Sequence, residues 1–406
     1  MNEKMEKYAK VILESCLKVE QDTPLFISYN SEVNYFVRIL ANCAYKLGVK
    51  DICFDSVDVN LKHDLLLNLD YDDLKNYSFW NKEKWNEYAR KGASFVMLAS
   101  ETPGLMKDVD QEKLSKLTAY SLSTRKEFDK LRDKLITPWT IAAVPTLSWA
   151  KQVFPESSNP VNDLWNKIFE ICAINEENPE QIWDKKIEIL KKQADKLTKL
   201  NFKRLTYTNS LGTNFSIELL KDSIWASGRE ELVNGKSILV NYPTEEVFTS
   251  PNCETAEGIV YASKPLSYQD NIIDNFWIKF KKGKVVDCHA EVGEETLRQL
   301  IKSCSNADRL GEVALVPYDS PISNSGVLFY ETLFDENASC HLALGDSFQE
   351  CLKNGINMDE KELIENKLNK SDNHVDFMVG TKDLSIIGET FDGKEIEIFR
   401  DGNFCI

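Results

Sequence analysis

The hydrophobic positions of this chain follow two different rhythms, and the change from one to the other falls near the middle. An amphipathic opening through Val19 leads to the apolar run Pro24 to Tyr29, a helical stretch from Glu32 to Leu47 and a short strand from Asp51 to Phe54. The alternation continues with SFVMLAS from Ser94 to Ser100, a charged helix from Gln111 to Leu135 and the apolar WTIAAVP from Trp139 to Pro145. Apolar strands separated by helices of this length predict a mostly parallel sheet covered on both faces. From Asp163 to Leu200 the pattern is helical, and its last part carries Ile187, Ile189, Leu190, Ala194 and Leu197 at helical spacing.

Past that helix the rhythm shortens to the period of two expected of half-buried strands, in RLTYTN, FSIEL and GIVYAS. The runs IIDNFWIKF and VVDCHAEV, joined across KKGK, predict a hairpin. The expected fold is therefore an α/β N-terminal domain over residues 1–200 and an α+β domain over residues 201–406. In the second, mainly antiparallel strands are interrupted by helices such as Glu294 to Cys304.

Composition narrows the function. A formal charge of −16 with no basic block interleaved with aromatics opposes nucleic-acid binding. No apolar run is long enough to span a bilayer, and the chain opens on a charged helical pattern without the apolar core of a signal peptide, so the expected compartment is the cytoplasm. Ten cysteines without a Cys-x-x-Cys pair read as reduced thiols, Cys340 among them as a small buried one. Trp80, Trp85, Trp139, Trp149 and Trp277 read as core or interface anchors. No glycine-rich phosphate loop, H-E-x-x-H helix or G-x-S-x-G elbow is present.

Candidate chemistry concentrates late in the chain. Of only four histidines, His341 and His374 sit in acidic, apolar-flanked segments: LFDENASCHLALG, which also holds Glu336, and HVDFMVG, which holds Asp376. Glu312 lies shortly before them in GEVALVPYDSPIS. Any one of these residues alone reads as a surface acid or a hydrogen-bonded core histidine. Together, carboxylates and imidazoles suit zinc, cobalt or manganese better than calcium. Upstream, Pro243 predicts an extended entry into NYPTEEVFTSP, so that Glu245 and Glu246 face opposite ways and only one can join a shared site. His63 and His289 lie outside these segments and read as solvent-facing or structural.

In this order and at these separations, PTEEVFTSP, SYQDNIID, LGEVALVPYDSPIS, TLFDENASCHLALG and HVDFMVG resemble the dinuclear metallo-aminopeptidases called thermophilic aminopeptidases, most strongly from Asn241 to Gly380. The resemblance implies a metal-dependent exopeptidase acting on peptides with a free N-terminus. It implies two divalent ions (Zn, Co, Mn or Mg) that activate a water, and a homodimer. Carried over by motif, the metal ligands are Glu246, Glu312, Glu336, His341, His374 and Asp376, with Glu312 shared between the ions and Glu246 and Glu312 as the catalytic pair. The chain departs from the pattern twice. Seven residues after His341, where the family places a tyrosine, stands Phe348. The missing hydroxyl implies an alternative, a metal-binding relative with weak or no peptidase activity. The approach NKLNKSDNH to His374 is also longer than usual.

Overall fold

The computed structural model describes the backbone of all 406 residues and the side chains of all but residues 75–82, so Trp80 lies outside the described residues. The chain forms two compact units: Met1–Glu188 with Gly228–Thr244, and Ile189–Ser227 with Glu245–Ile406.

The first unit is built on a five-stranded sheet in the order Asn241–Tyr242, Trp139–Ala143, Ser94–Ala99, Leu25–Asn30, Ile52–Val57. Every pair is parallel, as the alternating pattern predicts. Phe26 and Phe95 are register partners and stack at 4.9 Å, with Trp85 and Phe128 packed on them. The flanking helix Asn34–Lys46 buries Phe36, Val37, Leu40, Ala41 and Ala44, the spacing of one helical face. The charged helix expected from Gln111 to Leu135 is broken in two, Gln111–Ser123 and Lys126–Asp133. At the break the hydroxyls of Ser123 and Thr124 donate to the carbonyls of Tyr120 and Ser121, a local bonding pattern that competes with helix propagation.

The second unit holds two antiparallel sheets. The larger has nine strands and contains the predicted hairpin, Asn271–Lys281 with Lys284–Val292. Its two-residue turn places both Lys282 (φ 50°) and Gly283 (φ 76°) at positive φ, the requirement of a type I′ turn.

The smaller sheet contains Val247–Thr249 (β1), Leu310–Leu315 (β2), His341–Gly345 (β3) and His374–Met378 (β4). Its order is β4-β3-β2-β1, with Ala226–Ser227 beyond β1. Because side chains alternate across a strand, one face of this sheet carries Val247, Val313, Leu315, Leu342, Leu344 and Phe377 into the core. The opposite face receives Glu312, Ala314, His341, Ala343, His374 and Asp376.

One irregularity makes this division possible. Leu310 and Glu312 are two residues apart and in a regular strand would share a face, yet Leu310 belongs to the core cluster. The register against β3 shifts between them, so Gly311 is the extra residue of a bulge that sends its two neighbours to opposite faces. A Cβ on Gly311 would lie 2.0 Å from the carbonyl oxygen of Asp346, a backbone atom that cannot easily yield. Gly311→Ala is therefore expected to lower stability by about 1–3 kcal/mol through overpacking. Urea denaturation checks this, and an unchanged midpoint would count against the bulge as the element that holds Glu312 in place.

Candidate metal centre

Across the polar face the register lines up the acids and imidazoles. Glu312 of β2 is opposite Ala343 of β3, and Ala343 is opposite Asp376 of β4. Ala314 is opposite His341, and Gly345 is opposite His374. Small residues thus alternate with the functional ones and form a floor between them. Glu246, the residue before β1, completes the set, its Oε2 lying 2.9 Å from His341 Nε2. On the other side His374 Nε2 lies 3.0 Å from Glu312 Oε2 and 3.3 Å from Asp376 Oδ1. Two groups result, Glu246–Glu312–His341 and Glu312–His374–Asp376, each with its donor atoms within 4.8 Å of one another. Glu312 belongs to both.

Backbone carbonyls decide how the imidazoles face. His341 Nδ1 lies 3.1 Å from the Glu336 carbonyl oxygen and 3.0 Å from that of Ser339. His374 Nδ1 lies 2.9 Å from the carbonyl oxygen of Asp346. A carbonyl only accepts, so each Nδ1 carries a hydrogen and each Nε2 is turned toward the carboxylates. In a neutral ring Nε2 holds a lone pair, which opposes a carboxylate unless a proton or a cation stands between. This outer support is the one that fixes a metal-binding histidine.

The titration of the group reports the same tension. Burial pushes Glu312 up to about 7, helped by the charges of Asp376 and Glu246 and opposed by His374. Burial and the neighbouring Asp376, Glu246 and Glu312 push Glu336 well above the usual carboxylate range. Burial alone would depress His341, but the hydrogen bond and charge of Glu246 outweigh it and raise the group to about 10. His374 is likewise raised against its burial, by Asp376 and Glu312. Asp376 is held near 2 despite burial, through the charge and hydrogen bond of His374. Without metal, protons serve as the counter-charge. Buried acids and imidazoles that gather protons in this way fit a site for divalent cations.

Glu336 sits at the end of the short helix Thr332–Glu336, its Oε1 accepting from Asn337 Nδ2 at 3.2 Å. The charges of Asp376, Glu246 and Glu312 act on it, though it falls in neither close-packed group. Glu245 is buried, and its backbone N–H donates to Asn337 Oδ1 at 2.6 Å. Of the Glu245 and Glu246 pair, it is Glu246 that meets His341. Asn337 and Asp346, neither singled out by the sequence, tie the site together. The Asp346 carboxylate also accepts from Lys370 at 2.8 Å and from the Ser371 N–H at 3.1 Å, pinning the longer approach to His374. Phe348 lies with its ring 4.8 Å from that of His374. Cys340 is in the core, its thiol donating to the Val316 carbonyl. His63 and His289 pair elsewhere, with Asp108 and Glu294.

A mixed-donor group of this kind, on an antiparallel sheet, could hold metal ions. Residues 1–404 match the thermophilic metalloprotease family, M29, and the chain belongs to it. It is 37% identical to Aminopeptidase AmpS of Bacillus subtilis (strain 168), over 100% of this chain and 99% of the relative. To Aminopeptidase 2 of Geobacillus stearothermophilus it is 36% identical, over 99% and 97%. Among solved structures, wild-type AmpT from Thermus thermophilus superposes with a TM-score of 0.88 at 30% identity, covering 100% of this chain and 99% of that one. Among the described residues no helix is long and apolar enough to cross a membrane.

The raised titration of His341 has a measurable consequence. A histidine whose folded pKa lies above the ordinary value of about 6.5 adds stability in full below that pH. For His341 the gain is lost as pH rises through about 10. In metal-stripped protein the stability lead of the parent over His341→Gln should therefore be greatest below about pH 6.5 and shrink above it. Urea midpoints across the pH range test this, and a lead that stays constant or widens with pH would refute the proton-sharing geometry.

Proposed function

We propose that Glu246, Glu312, Glu336, His341, His374 and Asp376 hold two divalent cations, and that the enzyme uses them to remove N-terminal residues from peptides. The observation that carries the reading is the position of Glu312, one carboxylate common to two ligand groups, each completed by an imidazole whose Nε2 faces inward. Mixed oxygen and nitrogen donors accept zinc, cobalt, manganese or magnesium. When bound, such ions supply Lewis-acid polarisation of a scissile carbonyl and a water acidified toward neutrality.

The chain's own residues do the rest. Glu312 and Glu246, the proposed catalytic pair, would hold the ions through their carboxylate oxygens and so fix where the water and the scissile carbonyl stand. The carbonyls of Asp346, Glu336 and Ser339 keep the imidazoles in one tautomer. A free α-amino group has a nitrogen lone pair that such an ion could accept and an acetylated one does not, which supports exopeptidase action. Full-length relatives named aminopeptidases support a working enzyme over a weakly active relative. By resemblance to the family, the reading extends to a cytoplasmic homodimer with its catalytic domain in the C-terminal half.

His341→Ala and Asp376→Ala should each lose bound metal on dialysis. Each should hydrolyse aminoacyl-arylamides at below about a hundredth of the parent rate, the loss expected when a group that stabilises the transition state is removed. Full activity in either variant would reject this site. Stripping with a chelator should abolish turnover, and single additions of zinc, cobalt, manganese or magnesium identify the working ion. N-acetylated substrates should resist cleavage, and equal rates on blocked and free substrates would point to a different amide hydrolase.

A further inference from the structure

Beside the acids and imidazoles, the same sheet face carries an apolar surface that the chemistry above does not use. Phe248 of β1 is opposite Ala314 of β2 on one side and Ala226 on the other. Ala314 is in turn opposite His341, so the Phe248 ring stands on the face that carries the site. With an alanine on each neighbouring strand, the ring is flanked by low ground and remains half-buried. Phe348 meets it edge-on, with ring centroids 5.1 Å apart and planes at 62°. Phe348 also meets the ring of His374. Two half-buried phenyl rings therefore form a corner that begins at one imidazole and runs along the row leading to the other.

The corner is held in place. The Phe348 N–H donates to Ser250 Oγ at 2.9 Å, and that hydroxyl lies 3.2 Å from the Phe348 carbonyl oxygen. Ser250 follows directly on β1, the strand that carries Phe248, so both rings are referred to one short stretch of backbone. A half-exposed pair of aromatic side chains loses water favourably to an apolar group, repays nothing of the desolvation of an anionic one and offers a cationic one only a weak ring-face attraction.

We infer that Phe248 and Phe348 form the wall that receives the first side chain of the substrate, and that this wall selects uncharged aliphatic or aromatic residues. The inference rests on the peptidase reading and names the specificity of that same site. It makes Phe248 a specificity residue. Phe348 combines this part with packing on His374.

The test uses the metal-loaded full chain and its variants Phe248→Ala, Phe248→Leu and Phe348→Ala. Arylamides of leucine, phenylalanine, glycine, glutamate and lysine give kcat/KM, and calorimetry gives the affinities of the products L-leucine and glycine. The parent should favour leucyl over glycyl substrate by at least about tenfold, the discrimination that even one methylene achieves in an apolar pocket. Phe248→Ala should lower that ratio by about tenfold, with a parallel loss in the L-leucine to glycine affinity ratio. Phe248→Leu, which keeps apolar bulk, should retain the leucyl preference and weaken the phenylalanyl one. Active variants with unchanged ratios in both measurements would overturn the wall, as would a parent that prefers glutamyl or lysyl substrates. A parent that turns over no aminoacyl substrate but still binds L-leucine more tightly than glycine would sink the peptidase reading and leave the wall standing. Equal affinities would sink both.

Discussion

Gathering four carboxylates and two imidazoles at one face of a sheet, His374 and Asp376 half-buried and the rest buried, sets the terms for the rest of the C-terminal unit. Each ion withdrawn from water costs several kcal/mol unless opposite charge and hydrogen bonds compensate. Glu246, Glu312, Glu336 and Asp376 would together carry four negative charges if ionised, while the two histidines in neutral form carry none. In the metal-free state, the raised imidazoles and carboxylates hold protons that offset part of this charge. The two divalent cations proposed for this site would carry positive charge in less space, and they would need the neutral Nε2 lone pairs that the carbonyl contacts enforce. In that reading cation and proton compete for the same atoms, and metal binding would release protons.

Such a face is tolerable because the sheet separates it from the hydrocarbon core with a period of two. Val313, Leu342 and Phe377 pack on one side while their sequence neighbours Glu312, His341 and Asp376 face the other. A register slip of one residue would exchange the two sets and place the acids in the apolar core, so the pairing is strongly specified. Glycine at 311 and the small floor residues Ala314 and Ala343 belong to the same requirement. The first admits the bulge, and the others leave room for what binds above them.

Much of this was legible in the amino-acid order. Period-two strands, the alternating first half and the hairpin across KKGK correspond to the observed sheets, because each rests on local patterning or turn chemistry. The site segments could be read because rare residue types, above all histidine, recur there beside acids. Other features leave no trace in residue type. The carbonyls of Asp346, Glu336 and Ser339 orient the imidazoles through main-chain atoms that every residue possesses. Asn337 is one asparagine among many until Glu245 and Glu336 are seen to converge on it. Sequence physics allowed only one of Glu245 and Glu246 to face the site, and tertiary placement of His341 decides between them. The division of the long helix at Ser123 and Thr124 depends on which hydroxyls turn back to the backbone, a choice that helical periodicity does not encode.

The bulge ties these threads together. Strand β2 must satisfy two demands that regular alternation cannot meet: leucine at 310 in the core, and glutamate at 312 on the polar face that it shares with the two imidazole-bearing strands β3 and β4. One extra residue resolves the conflict, and the close approach of Asp346 requires that residue to lack a side chain. Asp346 is also the residue whose carbonyl turns His374 toward Glu312 and whose carboxylate anchors the loop before β4. The backbone contact that excludes a Cβ at 311 thus borders the contact that sets the direction of an imidazole. Packing at the bulge and the presentation of metal donors are consequences of one local geometry, so a change that relieves the first cannot leave the second untouched.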